Sequence, residues 1–403
     1  MHVRSVASAL ATMLHLPLHS PPQIEVTIRA GPTFRNDLYA PLIQNKGRIR
    51  SLSIVGQRSD IDEFISRMSA HTWPELQVLS VSHTNTAPVV SPPSYERHIL
   101  RIPNIRELTH FRPKLAMGCR HTTLTTLITS FASRHNCEEV LLQCTVLESL
   151  FITHVDEDMR PVPFPDVTEV GSLRTLKLSR CAAVARTTLD SLSFPGLDTL
   201  SLVEAPPSTS HPGCGIPTMS GAPAIISRLL ERSKCRLRAI IVEVAGISRP
   251  VLSEILIAAN TVTSVSLGTI LPYKQEMDPI VETFTPQQDK VVLPRLRKIE
   301  LTIDQFPMLA PVYGIVRSRK DAGYMPLDEL RMNIQGVDRH ALRRWERGRL
   351  DVKKHLQLAV RWAEAGVIKK ISVVTLVDGV DLVQQLMDDS LSIPTNPRRC
   401  CSA

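Results

Sequence analysis

The sequence predicts an α/β solenoid, with a curved parallel sheet on the concave face and helices on the convex face. Two observations predict it: an apolar triplet spaced i, i+3, i+5 recurs along almost the whole 403-residue chain, and helical patterns with proper ends lie between successive copies. A third observation bounds the class. Apolar residues make up 43% and charged residues 21%, which supplies a core and argues against a disordered chain.

The triplets are Ile49/Leu52/Ile54, Leu76/Leu79/Val81, Leu147/Leu150/Ile152, Leu173/Leu176/Leu178, Leu197/Leu200/Leu202, Leu237/Ile240/Val242, Val262/Val265/Leu267, Leu296/Ile299/Leu301, Leu327/Leu330/Met332 and Ile368/Ile371/Val373. A weaker copy, Ile105/Leu108, has His110 in its third slot. On a helix the third residue of such a triplet falls about 140° from the first, a poor stripe. On a strand i+3 and i+5 share one face, and the residue at i sits where the chain turns into the strand. The unit therefore reads as LxxLxL, the signature of a leucine-rich repeat.

Helices fill the intervals. Ile61, Phe64, Ile65 and Met68 fall at i, i+3, i+4, i+7 within Asp60–His71, and Asp60 with Glu63 reads as a capping box. Pro223 and Pro250 stand at first-turn positions before apolar helical runs. Leu358–Ala365 runs into Gly366, a C-cap directly before the last triplet. The array thus spans residues 24–375, beginning with the strand-like Ile24/Val26/Ile28, with inserted loops near 84–95, 206–223 and 272–290. Residues 1–23 read as an N-terminal segment, a remnant or poorly ordered, and residues 376–403 as a C-terminal helix and a disordered tail.

Leucine-rich repeats stack because one unit cannot bury its apolar face alone. Strand alternation then turns Ser53, Ser80, Phe151, Lys177, Ser201, Ile241, Ser266, Glu300, Arg331 and Ser372 outward. They form the expected partner-binding surface on the concave sheet.

In order along the chain, Phe194–Gly268 (FPGLDTLSL, a proline-rich loop, LLERSKCRLRAI, LSEILIAANTVTSVSL), then LPRLRKIEL, IVRSRKDAG, LDELRM and RWAEAGVIKKISV complete the pattern. This order resembles the leucine-rich-repeat part of F-box proteins of mushroom-forming fungi, over roughly residues 24 to 375. The resemblance implies a substrate receptor. Its F-box docks on the Skp-type adaptor of a cullin ubiquitin ligase, and its repeats hold the protein to be ubiquitylated. No LPxE-like F-box opening is read before Ile24, so the expectation includes an F-box-less relative.

No HExxH, GxxxxGK[ST], GxGxxG or GxSxG motif occurs, and the eight cysteines form no CxxC pair. A non-catalytic chain without cofactor or metal is expected, in a reducing compartment. His110 reads as a hydrogen-bonded repeat histidine before it reads as a functional group. Cys181, which completes LxxLxLxxC, and Cys235, in SKCRL, read as packed turn residues. The net charge of +8 and the run Arg339–Lys354, with Trp345 among its arginines, offer an alternative: a basic nucleic-acid-associated scaffold. Against it, Glu346 and Asp351 partly neutralise what reads as a solvated helix face.

The final CCSA reads as a C-a-a-X box that would lipidate Cys400, but its middle residues are not aliphatic and coincidence is the stronger explanation. An N-terminal address signal is disfavoured because His15, Pro17 and His19 break the apolar stretch. No run of about 18 apolar residues occurs. A monomer in the cytoplasm or nucleus is expected, without membrane attachment. In a pull-down with purified Skp-type adaptor this chain should not be retained; tight retention would reveal a docking segment that lacks the LPxE-like opening.

Overall fold

The computed structural model describes residues 24–30, 36–83, 102–109, 122–131, 134–155, 167–179, 189, 192–203, 222–243, 249–268, 284, 293–303, 309–334, 350–364, 368–375 and 381–384. The chain forms two compact units, Met1–Cys235 and Arg236–Ala403. Both are α/β, with parallel strands joined through helices or longer connections.

In the first unit the elements run β1 (Ile24–Ala30), α1 (Asn36–Gln44), β2 (Ile49–Gly56), α2 (Arg58–Ser69), β3 (Val78–His83), β4 (Glu107–Thr109), β5 (Thr126–Phe131), α3 (Arg134–Gln143) and β6 (Ser149–Val155). They continue through β7 (Thr168–Glu169), β8 (Thr175–Ser179), β9 (Leu192–Ser193), β10 (Thr199–Val203) and α4 (Ala222–Ser233). Strands β1 to β6, β8 and β10 lie side by side in chain order, and β7 pairs separately with β9. The second unit runs β11 (Ala239–Glu243), α5 (Arg249–Ala258), β12 (Ser264–Leu267), β13 (Lys298–Ile303), α6 (Leu309–Asp321), β14 (Leu327–Ile334), α7 (Leu350–Glu364) and β15 (Ile368–Thr375). Its strands also follow chain order and pair in parallel.

The apolar triplets set this order. Every residue of the ten complete triplets is buried, and so are Ile105 and Leu108. Each fully buried Leu or Ile contributes about 1.5–3 kcal/mol relative to exposure. Opposite them lie buried helical residues such as Ile61, Phe64, Ile65 and Met68 of α2, which packs against β2; α3 packs against β5 and α7 against β15.

A tight turn delivers the chain into several of the strands. The N–H of the first triplet residue donates to the carbonyl three residues earlier: Leu147 to Cys144 at 3.2 Å, Leu197 to Phe194 at 3.1 Å, Val262 to Ala259 at 3.1 Å and Leu296 to Leu293 at 3.1 Å. The acceptor residues are themselves buried, so the working motif has an apolar anchor three residues ahead of LxxLxL. At Phe194–Leu197 the turn also needs Gly196, where a Cβ would lie 2.5 Å from the Gly171 carbonyl oxygen. Helix α4 closes over the same turn, with Ser233 Oγ accepting from Phe194 N–H at 2.9 Å and Arg232 Nε donating to the Leu192 carbonyl at 2.8 Å. In the second unit the buried Arg319 of α6 plays the corresponding part. It donates to the Leu293 carbonyl at 3.0 Å and lies 4.8 Å from the Tyr324 ring centroid.

Several expectations are corrected. Helix α2 begins two residues before Asp60, with Gln57 as N-cap and no side-chain cap bond, so Asp60 sits in the first turn instead of forming a capping box. A carboxylate there still favours the helix, since it faces the positive end of the macrodipole. Strand β5 was not among the triplets, because its buried set is Leu124/Leu127/Thr129, with a hydroxyl residue in the third slot. Pro223 and Pro250, by contrast, lie in the first turn as expected, each at the second helical position.

Within 381–384, Asp381 accepts hydrogen bonds from Val383 N–H at 3.0 Å, Gln384 N–H at 3.4 Å and Val373 N–H at 3.2 Å, which starts a helical turn and ties it to β15. The N-terminal segment lies outside the described residues, as do the loop at 84–95 and most of those at 206–223 and 272–290. Leu127→Ala should cost about 2–5 kcal/mol, as should Leu176→Ala. Urea denaturation checks both, and a near-neutral Leu127→Ala would remove β5 from the core.

Candidate recognition surface

Because one strand face is buried, the alternate residues point the other way, and the register decides which of them become neighbours. In the first unit Thr27 pairs with Ser53, Ser53 with Ser80, Ser80 with Thr109, Thr109 with Ile128, Ile128 with Phe151, Phe151 with Lys177 and Lys177 with Ser201. In the second unit Ile241 pairs with Ser266, Ser266 with Glu300, Glu300 with Arg331 and Arg331 with Ser372. The ten sequence-derived positions therefore fall into one continuous row per unit.

Two of the ten change role. Ser201 and Ser372 are only 3% and 6% exposed, too short to rise beside their register neighbours Lys177 and Arg331. They belong to the floor and not to the contact set. Conversely, Thr109 and Ile128 stand in the first row although the sequence did not single them out, since each lies inside a triplet whose third slot is not apolar.

The first row is mild chemically: hydroxyl residues lead up to Ile128, which lies beside Phe151, and Lys177 Nζ lies 5.0 Å from the Phe151 ring centroid. That cation–π contact is worth about 0.5–1 kcal/mol where exposed and holds both side chains in place. A buried hydroxyl ladder supports it. Thr153 Oγ1 donates to the Thr129 carbonyl at 3.0 Å, and Ser179 Oγ donates to the Thr153 carbonyl. These hydroxyls satisfy strand-end carbonyls at the step where β5 and β6 shift register.

The second row is charged. Asn333 Nδ2 donates to Glu300 Oε1 at 2.7 Å and Arg331 Nε to Asn333 Oδ1 at 3.1 Å, while Arg331 Nε lies 3.6 Å from Glu300 Oε1. Beside this triangle run two cross-strand triads. Asp328 lies between Lys369 (2.7 Å) and Arg297 (3.6 Å), and Glu329 between Lys298 (3.0 Å) and Lys370 (3.4 Å). The Lys369 ammonium 2.7 Å away, then the other surrounding cations, hold the Asp328 carboxyl below the usual range. The hydrogen bond from Lys298 does the same for Glu329.

Other candidates contribute no such geometry. Cys137 and Cys144 are buried, and burial pushes the Cys144 thiol up to about 12, which keeps it protonated. Cys235 is half-buried. His110, Cys181, residues 339–349 of the basic run and Cys400 lie outside the described residues. Among the described residues no group of three His, Cys, Asp or Glu could hold a metal ion, and no helix is long and apolar enough to cross a membrane.

No protein-family model matches this chain, and no curated protein matches it. Among solved structures, one similar chain is a protein from Bacteroides fragilis, at 10% sequence identity and a TM-score of 0.34. The comparison covers 72% of this chain and 66% of that one, so it takes in just under two thirds of that protein's length.

The two depressed carboxyls give a pH dependence of definite sign. Their stabilisation is complete above the unfolded carboxyl values of about 4 and is lost as pH falls through the lower folded values. Asp328→Asn/Glu329→Gln should therefore be less stable than wild type near neutrality, with the two urea midpoints converging as pH drops. Parallel curves at every pH would show that the triads contribute nothing.

Proposed function

We propose that the chain is a non-catalytic protein-recognition module, a leucine-rich-repeat solenoid whose outward strand residues meet a partner across the concave sheet. We further assign it as an F-box-type substrate receptor of a cullin ubiquitin ligase, or an F-box-less relative of one. The observation that carries the recognition reading is the register: side chains from successive strands line up in continuous rows while their alternates are buried. A surface of that kind offers many contacts without altering the core, which is the use made of it in stacked-repeat proteins. The ligase assignment rests on the sequence resemblance, from FPGLDTLSL through RWAEAGVIKKISV.

The centre of the first row has the make-up of a contact hot spot. Ile128 and Phe151 are register neighbours with Thr109 on one side and Lys177 on the other, so an apolar anchor sits next to a positioned cation and a hydroxyl. A partner seated there would bury an apolar side chain against Phe151 and hydrogen-bond to that hydroxyl.

The test compares proteins captured from source-cell extract by the wild type, by Phe151→Asp and by Arg228→Asp on the exposed face of α4, each first shown to melt like wild type. Partners should be lost with Phe151→Asp, by a factor of about 30 for a hot spot of about 2 kcal/mol. They should be retained with Arg228→Asp. Equal retention by both variants would remove the first-unit sheet face from the reading.

A further inference from the structure

We infer that the strand-entry region of β13, β14 and β15 is a docking site for an acidic, carboxylate-rich protein segment. The inference rests on the recognition reading above and gives the second unit a partner chemistry of its own.

The observation is a difference in exposure within the two triads. The cation side chains stand out, at 71% for Lys369, 68% for Lys370, 56% for Lys298 and 38% for Arg297. The carboxylates are recessed, at 31% for Asp328 and 23% for Glu329. A partner approaching this surface therefore meets ammonium and guanidinium groups first, with the acids beneath them. Each triad carries two positive charges and one negative. Lys298 also acts on Asp328, so the triads make one field with a net charge of about +2, well inside a Debye length.

The recessed acids also pre-organise the site. A surface lysine ordinarily loses rotamer freedom when it engages a ligand. Here Lys298 is already hydrogen-bonded, and Lys369 ion-paired at 2.7 Å, to a fixed carboxylate, which lowers the cost of engaging a second one. Parallel strands lie about 4.8 Å apart, so the cations of β13 and β15 flank a strip about 10 Å wide, the width of one extended chain with its side chains.

Charge complementarity calls for an anionic occupant, and the interleaved acids favour a peptide over a nucleic acid. A phosphate backbone gains from an unbroken cation track, and Asp328 and Glu329 interrupt this one. Single strands also gain from stacking, and none of the outward residues of β13–β15 is aromatic.

The test measures fluorescence anisotropy of labelled hexaglutamate with the full chain at low salt. Hexaglutamate should bind, and Lys369→Gln/Lys370→Gln should weaken it about tenfold, with most of the effect in the salt-sensitive part. Arg317→Gln/Lys320→Gln removes the same net charge from α6 and should leave binding within about twofold. All six cationic and control side chains are solvent-accessible, and matched melting curves confirm that each variant is folded. Absent hexaglutamate binding, or equal loss in both double variants, would overturn the inference. So would tighter binding of oligothymidylate or single-stranded RNA that is lost with Lys369→Gln/Lys370→Gln, which would make this a nucleic-acid site. Any of these results, together with continued loss of partners in Phe151→Asp, would leave the recognition reading standing while removing the acidic-segment site.

Discussion

The rest of the structure depends on one hydrogen-bonded arrangement at the strand entrance. The carbonyl of the residue just after each first triplet position accepts two N–H groups from the next strand's entrance. Gln77 accepts from Arg106 and Glu107, Arg106 from Thr125 and Thr126, Thr125 from Glu148 and Ser149, Glu148 from Arg174 and Thr175, and Arg174 from Asp198 and Thr199. In the second unit Arg238 accepts from Thr263 and Ser264, Thr263 from Arg297 and Lys298, and Arg297 from Asp328 and Glu329. Each bond is worth only about 1 kcal/mol net, yet a slip by one residue would orphan both amides and turn every buried Leu outward. The entrance bonds and the triplets thus enforce the same register.

That agreement explains how rows of side chains survive unequal spacing along the chain. The connections between neighbouring strands of a unit's sheet range from the short one between β4 and β5 to the long ones between β12 and β13 and between β14 and β15. Lengthening a flexible connection costs little, about 0.6 kcal/mol per doubling. Register is set after the connection ends, by the buried turn anchor and the shared carbonyl. Insertions can therefore vary without moving Phe151 relative to Lys177 or Glu300 relative to Arg331.

How much of this was legible in the sequence follows from the same physics. Apolar spacing exposes a strand most plainly when all three slots are apolar, so Ile368/Ile371/Val373 was visible, and Ile105/Leu108 with His110 showed only as a weaker copy. Leu124/Leu127/Thr129 was not visible, although Thr129 is fully buried. Its neighbour Ile128 stayed hidden for that reason, and Thr109 because only backbone pairing extends β4 to it. Burial of Ser201 and Ser372 was not legible either, because strand parity gives the face and not the height of the neighbouring side chains. The triads sat in plain view as LRKIE, LDELR and IKKIS. Aligning those segments on their triplets would have brought Lys298, Glu329 and Lys370 together, a signal that reading each segment alone does not give. The N-terminus of α2 was misplaced because Asp60 and Glu63 satisfy a capping pattern that lies three residues past the actual N-cap, Gln57.

The entrance arrangement also decides where chemistry can vary. At the two positions after the first triplet residue the backbone amides are already bonded to the preceding strand, so any side chain that stays in water is compatible with the fold. The first unit places Arg106/Glu107, Thr125/Thr126 and Arg174/Thr175 there, and the second places Arg297/Lys298, Asp328/Glu329 and Lys369/Lys370. A charge at these positions meets a cross-strand neighbour about 4.8 Å away, close enough for opposite charges to pair and for like charges to repel. Three adjacent strands of like charge would be destabilising at this spacing. Alternation of cation, carboxylate and cation is therefore the arrangement by which a parallel sheet can hold four basic side chains together at its entrance and still present a net positive face.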